Sequence, residues 1–243
     1  MTEIGVWLLV VGLVDLVRAS RDTTAASRRV LMVLLGVALL ALAVVAFAPS
    51  AGVGAALLAG WLVAFLAWTL GSASAVGRRL AAPRAIAFAG WAGGIALSLV
   101  AGGRLEARLP GWVDGPLATL PPDRLVLVAG VLVAQLSTVN VLIRLTLDAV
   151  GVPASDNEKS LKGGRLLGPM ERVLIIGLGL AGQLTAAGLV IAAKGLIRFP
   201  ELQAKRDDRT SVDGVGIDAV TEYFLVGSFV SWLVALVSLA LTR

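Results

Sequence analysis

The sequence predicts an all-α polytopic membrane helix bundle with about seven transmembrane helices. Three observations lead there: 58% of the 243 residues are hydrophobic, only 15% are charged, and mean hydropathy is +0.90. Soluble domains are about 45–50% apolar and about 25% charged, so this chain lacks the polar side chains to cover itself in water. Its charges fall in short clusters between long apolar runs. Lipid is therefore the expected solvent for most of the surface. Helices are the expected elements, because a lone strand in hydrocarbon leaves its backbone polar groups unpaired.

Seven apolar runs approach the roughly 20 residues that a bilayer demands. They cover about Ile4–Ala19, Val30–Ala48, Ala51–Gly71, Ala85–Gly103, Leu125–Val150, Val173–Ala193 and Ala219–Thr242. The first run holds Asp15, and Glu3 precedes it with no leading Lys or Arg, unlike a signal peptide. Phe47-Ala-Pro-Ser-Ala-Gly52 predicts a tight turn that makes a hairpin of the second and third runs. Gly102–Arg124, with four prolines and Trp112, is expected along the interface. Arg206–Asp213 reads as a polar, solvated loop. The whole chain, 1–243, is expected to form one transmembrane domain, with five helices in 1–150 and two in 151–243. Loops after the first, third and fifth runs hold eleven Lys and Arg, against eight on the other side. That bias predicts an amino terminus outside and a carboxy terminus inside.

The sixth run poses a separate question. It contains Gly177, Gly179 and Gly182, the G-x-G-x-x-G pattern of a strand turning into a helix around a dinucleotide. Such a site requires a sheet. The nearest second strand, Leu196–Glu201, carries two charges and a proline, and no further strands follow. No dinucleotide is expected. Gly177, Gly182 and Ala186 are instead read as small residues that let helices pack closely, with the sixth run at the centre of the bundle.

Polar groups inside apolar runs are costly in lipid and mark candidate sites. The fifth run is richest, with Gln135, Asn140, Arg144 and Asp148; the last three recur at i, i+4 and i+8 on one helical face. Gln183 in the sixth run is expected to face Asn140 across the bundle. A second set, Arg165, Glu171, Arg172, Lys194, Arg198 and Glu222, lies near the expected surfaces. It is read as contacting lipid headgroups or another anion, or as anchoring helix ends. Lys194 ends the sixth run and Glu222 opens the seventh, so these two are expected to pair. With neither Cys nor His in the chain, no disulfide, thiolate or imidazole chemistry is expected, nor any metal or cofactor. The basic clusters lack interleaved aromatics, which argues against nucleic acid. The expected partners are membrane lipids and either further copies of this chain or another membrane protein.

Three functions fit these residues. The leading one is a transporter- or channel-like protein whose path is lined by Gln135, Asn140, Arg144, Asp148 and Gln183. The second is a non-enzymatic scaffold or subunit of a larger complex, with the same groups as buried interhelical glue. The third is a lipid-handling enzyme using Glu171 or Glu222, although no nucleophile–base pair is evident.

The carboxy-terminal third reads Gly164-Arg165-x-x-Gly168-x-x-Glu171-Arg172, Ala192-x-Lys194-x-x-x-Arg198-Phe199 and Glu222-Tyr223-x-x-x-Gly227-Ser228. This resembles a bacterial integral-membrane domain family of unknown function, some members of which are encoded near SatD-type proteins. The resemblance implies that these charged, tyrosine and glycine positions form a shared signature, and it implies a bacterial cytoplasmic membrane. It implies no activity. Of the His/Asp/Gln pattern in the family's first helix, this chain has only Asp15.

Overall fold

The computed structural model describes residues 1–19, 26–76, 80–108, 119–151, 164–207 and 217–243. Among the described residues there are nine helices and no strand. The expected interfacial position of Trp112 and the solvated loop at 208–213 lie outside them. The helices are α1 (Thr2–Ala19), α2 (Ala26–Phe47), α3 (Ala51–Ala75), α4 (Ala81–Val100), α5 (Pro122–Leu136), α6 (Thr138–Ala149), α7 (Gly164–Leu180), α8 (Leu184–Asp207) and α9 (Ile217–Thr242). Four segments are long and apolar enough to cross a membrane: Arg29–Phe47, Ala51–Ala75, Ala81–Val100 and Phe224–Thr242. A fifth arises if α5 and α6 together make one bent span. The chain divides into two compact units, Met1–Val141 and Leu142–Arg243.

Glycine sets the geometry of the first unit. A Cβ on Gly5 would lie 2.6 Å from the backbone nitrogen of Leu127, and one on Gly12 would lie 2.9 Å from that of Ala134. A Cβ on Gly130 would strike the carbonyl oxygen of Gly5. The backbones of α1 and α5 therefore touch, as small residues permit between membrane helices. Helices α3 and α4 approach in the same way at Gly71 and Gly90, where a Cβ would meet the backbone of Ala87 and of Trp68 at 2.8 and 2.5 Å. Larger rings fill the remaining volume. Trp7, Trp61, Phe65 and Trp68 are fully buried, with the Trp7 ring on Gly94 and the Phe65 ring on Gly36. The turn expected at Phe47–Gly52 is present: α2 ends at Phe47, α3 begins at Ala51, and the Ser50 hydroxyl accepts from the Val53 N–H at 3.5 Å.

The fifth apolar run is not one straight helix. It bends by 49° between α5 and α6. The Ser137 hydroxyl donates to the Gly12 carbonyl at 2.7 Å, and its backbone leaves the helical region with φ −135° and ψ −62°. A polar side chain that turns away to a neighbouring helix beside an interrupted ladder is a known cause of a kink.

The sixth run departs further from expectation. Rather than a single span, it is two helices, α7 and α8, folded back at Ala181–Gln183. Gly182 adopts φ +77°, which is costly for a residue with a Cβ. The Gln183 N–H donates to the Leu178 carbonyl at 2.8 Å, and the Gly182 N–H to the Gly179 carbonyl at 3.1 Å. Those two bonds around a left-handed glycine form a Schellman cap. The third glycine of the G-x-G-x-x-G pattern is thus a helix stop. In the second unit, α7 and α8 pack against α9 through Ile175, Ala187 and Ala235, with Leu178, Val190 and Trp232 around them.

Candidate functional site

The most connected polar cluster belongs to the first unit and centres on Asp15, which is 2% exposed. Its Oδ1 pairs with Arg18 Nη2 at 3.0 Å, one turn along α1. Its Oδ2 accepts from Trp68 Nε1 on α3 at 3.0 Å and from the Thr138 hydroxyl at 2.8 Å. Arg18 Nη1 also donates to the Ser72 hydroxyl at 2.8 Å. The close glycine contacts of α1 and α5 bring α1 within reach of the break, so that the carboxylate meets the first residue of α6. Both members of this ion pair are desolvated and extensively hydrogen-bonded, the condition under which a buried pair is tolerated. Gln135 lies just before the break and is 1% exposed.

Glu3 is a second buried acid among the described residues of this unit. Its Oε1 accepts from the backbone N–H groups of Arg104 and Leu105 at 2.7 and 2.8 Å, tying the start of α1 to the turn after α4. Tryptophan 61 is anchored similarly, with Nε1 donating to Ser98 at 3.1 Å. Glu3, Trp61 and Ser98 thus hold helices in place. The buried Thr69 hydroxyl and the indole N–H groups of Trp7 and Trp91 have no hydrogen-bond partner among the described residues.

The second unit holds its own charges. Lys194 Nζ on α8 donates to Glu171 Oε2 on α7 at 2.5 Å, and lies 5.9 Å from the centre of the Trp232 ring on α9. Arg172 is 1% exposed, and its Nη1 donates to the Ser231 hydroxyl at 3.0 Å. The expected partner of Lys194, Glu222, has its side chain outside the described residues; the structure pairs Lys194 with Glu171. The fold-back at Gly182 is the physical reason, since it returns α8 along α7.

Asn140, Arg144 and Asp148 do lie along α6, each half-buried. Gln183 is exposed, in the turn between α7 and α8. That position corrects its expected place in the middle of a spanning helix. Among the described residues, no atom lies within 4 Å of where a Cβ would stand on Gly177 or Gly182, and Ala186 is half-buried beside the buried Ala187. Close backbone packing within the chain therefore falls at Gly5, Gly12, Gly71, Gly90 and Gly130 instead. The side chains of Arg165, Arg198 and Glu222 lie outside the described residues. No group of three or more His, Cys, Asp or Glu converges among the described residues. Asp15 interrupts an apolar run, and that was the available signal for the first-unit cluster. Trp68 and Thr138 have no feature in the sequence that separates them from ordinary core residues.

These features define an all-helical protein with four or five helices of membrane-spanning length. No family model, curated protein or solved structure matches the chain.

Proposed function

We propose that this is a multi-pass protein of a bacterial cytoplasmic membrane, transporter- or channel-like, whose polar path passes the break between α5 and α6. One observation carries the reading: a buried carboxylate, Asp15, is bonded to Thr138, where the second half of a broken helix begins. Broken helices in transporters expose backbone groups and a positive helix end to a ligand at membrane depth. Non-helical backbone is tolerated in the hydrocarbon only when buried in protein or lining water. Beyond the break, Asn140, Arg144 and Asp148 continue a polar line along one face of α6. Gln135 stands at its start.

A scaffold or subunit role is the second reading, favoured by the number of donors that already occupy Asp15. The two readings differ in water. Single cysteines at Asn140 and Arg144 are introduced into the cysteine-free chain. They are then treated with a membrane-impermeant thiol reagent from each side, with a permeant reagent as the control for reactivity. Labelling by the impermeant reagent is the expected result and leads to flux assays. Protection from both sides overturns the transport reading in favour of buried glue. The family membership suggested by the carboxy-terminal signature is likewise proposed, and it brings no activity with it.

A further inference from the structure

We infer that the sixth apolar run crosses the membrane twice, as the hairpin α7–α8, with the Glu171–Lys194 pair inside the bilayer. This concerns the second unit alone and does not depend on the transport reading. Neither helix meets a simple test for spanning, because α7 has 17 residues and the apolar part of α8 is Leu184–Leu196. Their contacts with α9 indicate their depth. Arg172 meets Ser231, Ile175 packs with Ala235, and Gly179 lies against Leu239. Arg243 Nη2 then donates to the Gly179 carbonyl at 3.3 Å. Helix α7 thus runs parallel to α9, and the turn at Ala181–Gln183 stands near the carboxy-terminal end of α9. Glu222 is the last charged residue before the apolar stretch of α9, so Ser231 is about 13 Å beyond it at 1.5 Å per residue. The same rise places Gly164, the first residue of α7, near the level of Phe224.

The charges then sit well inside a hydrocarbon layer about 30 Å thick. Pairing makes that tolerable: Glu171 and Lys194 face each other from positions symmetrical about the turn, and Trp232 adds a ring face to the ammonium. The distribution of basic residues independently favours two crossings. A single crossing sets Lys205, Arg206 and Arg209 opposite Lys159 and Lys162. Two crossings bring all five to one side and leave the turn Ala181–Gln183 uncharged. Basic loops gathered on one face are what membrane insertion selects.

The test uses the full chain in its own membrane, with single cysteines at Ala181, Gln183, Gly164 and Ala204. Impermeant maleimide is applied to intact cells and to inverted vesicles, and detergent-solubilised protein shows that each thiol reacts. Two crossings predict that 181 and 183 are labelled from one side only, and 164 and 204 only from the other. A reporter fused after Arg243, which leaves the hairpin unaltered, is expected on the side of 181 and 183. Labelling of all four cysteines from one side would establish a surface hairpin and overturn the inference. So would protection of 181 and 183 from both sides, the mark of a re-entrant tip, or a reporter on the side of 164 and 204.

Discussion

The two units solve the same problem, holding apolar helices together, by different means. In the first, backbones touch at glycine and the gaps are filled by tryptophan and phenylalanine; the buried charges bond across helices α1, α3 and α6. In the second, Gly177, Gly182, Gly188 and Gly195 have nothing within 4 Å of a would-be Cβ. There one glycine, Gly179, is pressed by the Leu239 side chain rather than by backbone, and the other contacts are side chain to side chain, clasped by Glu171–Lys194 and Arg172–Ser231. In the membrane setting proposed above, hydrophobic burial does not by itself drive helices together, and each unit would then depend on its van der Waals fit or its polar bonds. The comparison teaches that the number of small residues in a helix does not say whether they are used.

The difference is broken most severely at Asp15. Asp15→Ala leaves Arg18, Trp68 and Thr138 facing an empty site in a buried core. Removing one partner of a buried ion pair typically costs about 3–5 kcal/mol. Loss of monodisperse protein in detergent, or a large fall in the thermal midpoint, is the expected outcome. A near-unchanged midpoint would mean that water already reaches Asp15.

Next in size is the glycine contrast. Gly130→Val drives a branched side chain into the backbone of α1, where no rotamer relieves it. Overpacking costs about 1–3 kcal/mol, occasionally more. Gly188→Val, in the second unit, meets open space and is expected to leave the midpoint nearly unchanged. Equal damage from both would show that α8 has a close partner beyond the described residues of its own unit.

How much of this was legible from residues alone follows from what residues can encode. Apolar runs of membrane length are a property of composition, and four of the seven meet the length and apolarity test as single helices. The turn before α3 was legible because Pro49, Ser50 and Gly52 are local signals. The break at Ser137 was not, because the hydroxyl's partner is the carbonyl of Gly12, which lies 125 residues away in sequence. The stop at Gly182 was hidden for a different reason. The left-handed glycine lies between Leu180-Ala181 and Gln183-Leu184, and one polar residue among apolar ones leaves the hydropathy close to that of an uninterrupted helix. Without that turn, the residue pattern sets Gln183 in the interior of a helix. Asp15 stood out as an acid in an apolar run, but its partners come from α3 and α6.

A smaller effect tests the clasp of the second unit. Glu171 and Lys194 are 13% and 16% exposed, less buried than Asp15. Glu171→Lys, which sets two cations against each other, is expected to lower the thermal midpoint. The double exchange Glu171→Lys with Lys194→Glu is expected to recover most of the loss. A double-mutant cycle measures that recovery separately from the two single effects. If the double variant is no better than the worse single one, Trp232 and the local packing, rather than the charge pair, hold the hairpin.

The finest contrast lies within the motif that first suggested a nucleotide. Gly177 is in the interior of α7 with open space around it, whereas Gly182 ends the helix at φ +77°. An alanine at 177 removes conformational freedom from the unfolded chain and suits the helix, a gain of about 0.5–1 kcal/mol. An alanine at 182 must adopt a left-handed backbone, a loss of about 1–2 kcal/mol. Two identical substitutions five residues apart are therefore expected to move the thermal midpoint in opposite directions. If both lower it, Gly177 packs against something beyond the described residues of its own unit. If neither does, the turn is not held at Gly182, and the hairpin that returns Lys194 to Glu171 would have to form in some other way.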